Sequence, residues 1–178
     1  MPGDRIALLI DAENIGASHY RAAIDKARSL GDPIIRRVFG DFTQGRIAEW
    51  AAIARLEGLE TVCQINGGKG KNSADIAMTI HAMDILHERR ADAFCLVSSD
   101  SDFLPLAIRI KRSGLNVYGM GRDSSDQALK NACTDFLVLE QAASPSPKTF
   151  RQLHQARPNQ RPRFGLSQNL ATPVPSPS

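Results

Sequence analysis

Cysteine is scarce in this chain. Cys63, Cys95 and Cys133 are all that its 178 residues hold. Their odd number and wide spacing speak against a disulfide framework and against a zinc-type cluster. Cys63 and Cys95 fall in apolar, strand-like runs, so they read as buried, reduced thiols of a cytoplasmic protein. Long apolar runs are missing as well. Nothing behind Met-Pro-Gly-Asp-Arg is long enough for a signal peptide, and no run approaches the roughly 20 residues of a membrane helix. The expectation is a soluble, cytoplasmic protein with no membrane partner. Histidine offers no metal site either, because His81 and His87 lack a ligand spacing and His19 and His154 are isolated.

Acidic residues are absent from the end of the chain. From Ser144 onward there are Lys148, Arg151, Arg157, Arg161 and Arg163 but no Asp or Glu. The body before Ser144 therefore holds 17 of the 22 basic residues against all 19 acids and is mildly negative. Seven of the ten prolines also lie beyond Ala143. This composition divides the chain into a globular domain over residues 1–143 and a Pro/Arg-rich tail over 144–178 that is expected to be disordered. A basic tail on an acidic body fits a nucleic-acid partner.

The body alternates strand-like and helix-like segments. Ile6 to Ile10 is a continuous apolar run, the pattern of a strand buried on both faces. Further strands are expected at Ile34–Phe39, Glu60–Ile65, Ala93–Val97, Leu115–Met120 and Asp135–Leu139. Helices are expected at His19–Leu30, Arg46–Leu56, Ser73–Glu88, Asp102–Arg112 and Ser124–Ala132. In the third of these, Ile76, Ile80, Met83 and Leu86 read as the core face. Pro33 reads as a reset between helix and strand, and Pro105 is acceptable only in the first turn of its helix. Regular alternation with short connections predicts an α/β fold, a largely parallel sheet with helices on both faces and right-handed crossovers.

In such a sheet ligands bind outside the carboxyl ends of the strands. Asp11 directly follows the first strand, Asp41 the second, and Asp100 and Asp102 the fourth. Asp75 opens the helix after the third. All five therefore belong to one edge. Asp41, after Gly40, reads as a turn residue, and Glu13 as solvent-facing. Asp75 suits the positive end of a helix, and Asp102 with its neighbouring serines suits a helix cap. Asp11 has no such stabilising role, since a carboxylate after a fully apolar strand is costly unless something binds it. Gathered acids repel one another, and a hard divalent cation, Mg²⁺ or Mn²⁺, is their natural neutraliser. Asn14 is placed to orient a carboxylate or a phosphate, or to cap the helix that follows. The glycine-rich stretch Asn66-Gly-Gly-Lys-Gly-Lys-Asn-Ser brings Lys69 and Lys71 to the same edge, where they would touch phosphates. It is no phosphate-binding P-loop, because Ile65 stands where glycine is needed and Asn72 where Ser or Thr is needed.

Leu9-Ile10-Asp11-Ala12-Glu13-Asn14-Ile15, Lys71-Asn72-Ser73-Ala74-Asp75-Ile76 and Ser98-Ser99-Asp100-Ser101-Asp102-Phe103 occur in that order. Together with the later Ser125, Leu129, Ala132, Asp135 and Phe136, they resemble the NYN domain of LabA-like bacterial proteins, a branch of the PIN-like nucleases. The resemblance covers roughly residues 5–140. It implies a PIN-like three-layer α/β/α fold and a metal-dependent ribonuclease activity. The acidic positions of the family fall here on Asp11, Asp75, Asp100 and Asp102, and its asparagine on Asn14.

The resulting expectation is an endoribonuclease that cuts single-stranded RNA with Mg²⁺ or Mn²⁺. Asp11, Asp75, Asp100 and Asp102 are the catalytic and metal-binding candidates. Asn14, Lys69, Lys71 and Ser98 are the substrate-binding candidates. Two alternatives stand beside it. One is an RNA-binding or regulatory protein that keeps the fold without turnover. The other is a phosphatase of the haloacid-dehalogenase type with Asp11 as nucleophile, which would want an Asp where Glu13 stands. A homodimer is compatible with the sequence.

Overall fold

The computed structural model of the protein describes residues 3–42, 45–63 and 73–139. The tail, Lys69 and Lys71 lie outside the described residues. Six strands form the framework: β1 (Arg5–Asp11), β2 (Asp32–Gly40), β3 (Glu60–Cys63), β4 (Ala93–Val97), β5 (Asn116–Gly121) and β6 (Asp135–Val138). Five helices connect them: α1 (Tyr20–Leu30), α2 (Ala48–Glu57), α3 (Ser73–His87), α4 (Leu104–Arg112) and α5 (Gln127–Ala132). Short 3-10 turns at Ala17–His19, Gly45–Ile47 and Ser101–Phe103 lead into α1, α2 and α4.

The strands make one sheet in the order β3-β2-β1-β4-β5-β6. Every pairing is parallel. β1 is central and buried from Ile6 through Asp11. Side chains alternate across a strand, so β1 feeds two cores. Ile6, Leu8 and Ile10 pack with Tyr20, Ile24 and Trp50 of α1 and α2. Ala7 and Leu9 pack with Met78, Ile85 and Ile110 of α3 and α4. Each such aliphatic side chain contributes about 1.5–3 kcal/mol by leaving water. The result is a three-layer α/β/α arrangement, as the alternation and the family resemblance both implied.

β4 has the bounds expected from its apolar run, and Pro105 lies in the first turn of α4. Four expectations need correction. Pro33 lies inside β2, where the β1–β2 register slips between Arg5–Asp32 and Ala7–Ile35. A residue with no N–H is tolerated at such an irregularity. Cys63 is exposed rather than buried, because β3 is an edge strand of only four residues. Ile76 and Ile80 face outward, with exposures of 61% and 54%. The buried side of α3 is instead Ala74, Ala77, Met78, Ala82, Ile85 and Leu86. Apolar residues occur all round this helix, so periodicity alone does not select its core face. Finally, Asp41 is buried at 4% exposure rather than standing on an open turn.

Candidate functional site

The strand order reverses between β1 and β4, because the chain runs outward from β1 to β3 and then restarts on the other side. A crevice opens at such a reversal, beyond the carboxyl ends of the strands. Asp11 ends β1 on one side of it, and Ser98 to Asp102 follow β4 on the other.

Asp11 is 1% exposed. A buried carboxylate is tolerable only when its oxygens accept hydrogen bonds, and here all the demand is met. Oδ1 accepts from the backbone N–H of Glu13 at 3.0 Å and of Asn14 at 3.1 Å. Oδ2 accepts from the Asn14 side-chain amide and from the Ser98 hydroxyl, both at 2.7 Å. The Asn14 side chain is thus turned onto Asp11, not used as a helix cap. Ser98 is buried and carries the network onward, since its Oγ accepts from the backbone N–H of Asp100 at 3.1 Å. Asp100 in turn caps the following 3-10 turn, its Oδ1 accepting from the Asp102 N–H at 2.9 Å. The capping role expected of Asp102 therefore belongs to Asp100. Asp102 itself is exposed.

Asp75 approaches from α3 and is half-buried in its first turn. Its carboxyl is pushed up to about 6, first by burial and then by the negative charges of Asp11, Asp100, Glu13 and Asp102. Asp11, Asp100 and Asp102 thus lie within electrostatic reach of Asp75. As placed, no three His, Cys, Asp or Glu side chains among the described residues stand close enough together to hold a metal ion. The donor chemistry nonetheless fits a hard cation, being carboxylate oxygen throughout.

Two residues of this edge were not assigned to the site from the sequence: Glu13, which was expected to face solvent, and Arg122. Glu13 is half-buried and acts on Asp75. Its position two residues after Asp11 was the available signal. Arg122 follows β5 and donates its backbone N–H to Ser99 Oγ at 2.8 Å and its guanidinium to the carbonyl oxygen of Asn14. No spacing rule marks it, because Asn14 and Arg122 meet only through the fold. Gly121, just before it, is required to lack a side chain. A Cβ there would come within 2.7 Å of the Ser98 carbonyl oxygen and 2.8 Å of Ser125 Oγ. Two thiols can be set aside as nucleophiles, because burial pushes Cys95 up to about 12 and Cys133 up to about 11.

The strand order is also that of dinucleotide-binding folds, but those place a glycine-rich turn after the first strand. Asp11-Ala-Glu-Asn occupies that turn here. No helix among the described residues is long and apolar enough to cross a membrane.

Comparison with known proteins agrees with this fold. An uncharacterized protein, MJ0482, of Methanocaldococcus jannaschii is 28% identical over 140 residues, covering 75% of this chain. This chain spans only 54% of that relative's length. The crystal structure of a protein of unknown function, VPA0982, from Vibrio parahaemolyticus superposes with a TM-score of 0.64 at 21% identity. It covers 78% of this chain and 94% of its own, and it shows the same fold. The NYN domain matches residues 5–140, the whole described sheet together with the acid-bearing edge, and the chain belongs to this PIN-like nuclease family.

Proposed function

We propose that the protein is a divalent-metal-dependent endoribonuclease that cleaves single-stranded RNA in the cytoplasm. The observation that carries this reading is the placement of Asp11, Asp100, Glu13 and Asp102 around the half-buried Asp75, whose carboxyl is raised to about 6 first by burial and then by their charges. Acids close enough to oppose the ionisation of Asp75 lower stability, and they call for a cation. Asp11, Asp75, Asp100 and Asp102 would hold Mg²⁺ or Mn²⁺. Such an ion lowers the pKa of water and stabilises charge that builds on a phosphate during in-line attack.

The chain's own residues prepare this edge. Asn14 and Ser98 hold Asp11 in one orientation, and Ser98 fixes Asp100 relative to it. The cap at Asp100 uses Oδ1, which leaves its other oxygen outside the cap. Ser98 acts here through Asp11 and Asp100. Lys69, Lys71 and the Arg-rich tail would add salt-dependent affinity for the RNA backbone.

RNA binding without turnover is the second reading, and one observation favours it. Both oxygens of Asp11 already accept two hydrogen bonds each, so metal ligation by Asp11 requires one of them to yield. The same saturation and burial disfavour Asp11 as a phosphatase nucleophile.

The test is cleavage of a labelled single-stranded RNA by the purified protein. Activity is expected with Mn²⁺, none with EDTA, and a loss of at least about a hundredfold in Asp100→Asn, the scale of removing a group that stabilises transition-state charge. Equal cleavage by wild type and Asp100→Asn would refute the assignment. Binding of RNA under every divalent ion without cleavage would establish the second reading.

A further inference from the structure

Arg122 is bonded to both loops that carry the acids. Its guanidinium reaches the carbonyl of Asn14, the residue whose backbone and side-chain amides hold Asp11. Its backbone N–H is held by Ser99, which stands between Ser98 and Asp100. Arg122 is nevertheless exposed. A guanidinium carries five N–H donors in a planar fork, and a single carbonyl oxygen does not exhaust them. The remaining donors belong to a residue at the carboxyl edge of β5, the strand beside β4, whose own carboxyl end leads to Asp100. An acidic edge repels a polyanion, so a phosphate brought there needs a fixed positive partner. Arginine suits that task because its fork matches phosphate oxygens and its charge is permanent.

We infer that Arg122 is the phosphate anchor of this site. It holds the loop after β1 with one donor and takes a non-bridging oxygen of the RNA backbone with the others. This rests on the nuclease reading above. A mere tie between loops would use the bond to Asn14 and leave the salt dependence of RNA binding untouched.

The full chain, Arg122→Ala and Arg122→Lys are compared by fluorescence anisotropy with a fluorescein-labelled single-stranded oligoribonucleotide in EDTA over a range of salt. Cleavage with Mn²⁺ and thermal melting are measured alongside. Arg122→Ala is expected to weaken binding about tenfold and to reduce the salt slope by about 0.7, the value for one phosphate contact on a single strand. KM should rise more than kcat falls. Arg122→Lys keeps the charge, so the slope should return while affinity stays below wild type; this variant also decides the matter if Arg122→Ala does not fold. An unchanged slope and KM in Arg122→Ala, or wild-type affinity in Arg122→Lys, would overturn the inference while a cleaving wild type keeps the nuclease reading. A wild type that neither binds nor cuts RNA would overturn both. If it binds without cutting, the slope still decides the role of Arg122.

Discussion

Asp92 and Asp75 sit at opposite ends of the same sheet. Asp92, just before β4, accepts from the Arg5 guanidinium and backbone at 2.9 to 3.0 Å. Those bonds, with the charge of Arg5, hold its carboxyl down at about 2. Asp75, at the other end, is pushed up to about 6 by burial and by four neighbouring acids. The contrast separates two uses of a carboxylate. At the amino end the chain supplies the counter-charge itself, and the pair ties β1 to the start of β4. At the carboxyl end repulsion is left standing at Asp75, so the stabilising charge is to come from outside. Ordered structure at the second end then depends on hydrogen bonds, and Asp11 is where they concentrate.

Removing that concentration should have the largest effect. Asp11→Ala leaves the N–H groups of Glu13 and Asn14, the Asn14 amide and the Ser98 hydroxyl without their acceptor. A loss of about 3 kcal/mol is expected, of the order for buried donors left unsatisfied, together with loss of cleavage. Urea unfolding and the RNA assay measure the two. Gly121→Ala comes next. Its methyl group meets the Ser98 carbonyl, a backbone atom at 2.7 Å, so the end of β4 must shift. Overpacking of this kind costs about 1–3 kcal/mol, and cleavage should fall further than stability alone explains.

The smallest effect sharpens the comparison of the two ends. Asp75 has a folded-state pKa above its ordinary 3.8. Its protonated form is therefore favoured by folding. Without divalent cation, its contribution to stability is fully present below pH 3.8 and is lost as the pH rises through about 6. Asp75→Asn should raise the melting temperature at pH 7 and flatten the melting curve's pH dependence between those values. Asp92 has the opposite sign. Its contribution is present above 3.8 and lost as the pH falls through about 2, so Asp92→Asn should lower the melting temperature above pH 3.8 and converge on wild type as the pH falls to about 2. Melting temperatures from pH 2 to 8 distinguish the two variants. Identical profiles would remove the distinction between the ends.

Much of the fold was legible because β1 and β4 are unbroken apolar runs that only a buried parallel strand explains. Once their ends were fixed, Asp11 and Asp100 had to share an edge. The face of α3 was not legible, because its small alanines are buried while Ile76 and Ile80 are exposed, the reverse of a hydrophobicity ranking. The burial of Asp41 was hidden by the glycine before it, which reads as a turn but here ends a strand. Asp100 took the capping role expected of Asp102 because a cap is defined by where the turn begins, and it begins at Ser101. Arg122 was beyond reach of any local pattern, since its partners are Ser99 and Asn14.

The central claim is that the carboxyl-edge acids gather to bind a divalent cation. Titration of the protein with Mn²⁺, following the electron paramagnetic resonance signal of the free ion, tests it without any substrate. The account predicts that wild-type protein removes Mn²⁺ from solution at pH 7 and that Asp100→Asn and Asp75→Asn, confirmed as folded, do so much more weakly. Binding of equal strength in wild type and both variants, or none in the wild type, would contradict it.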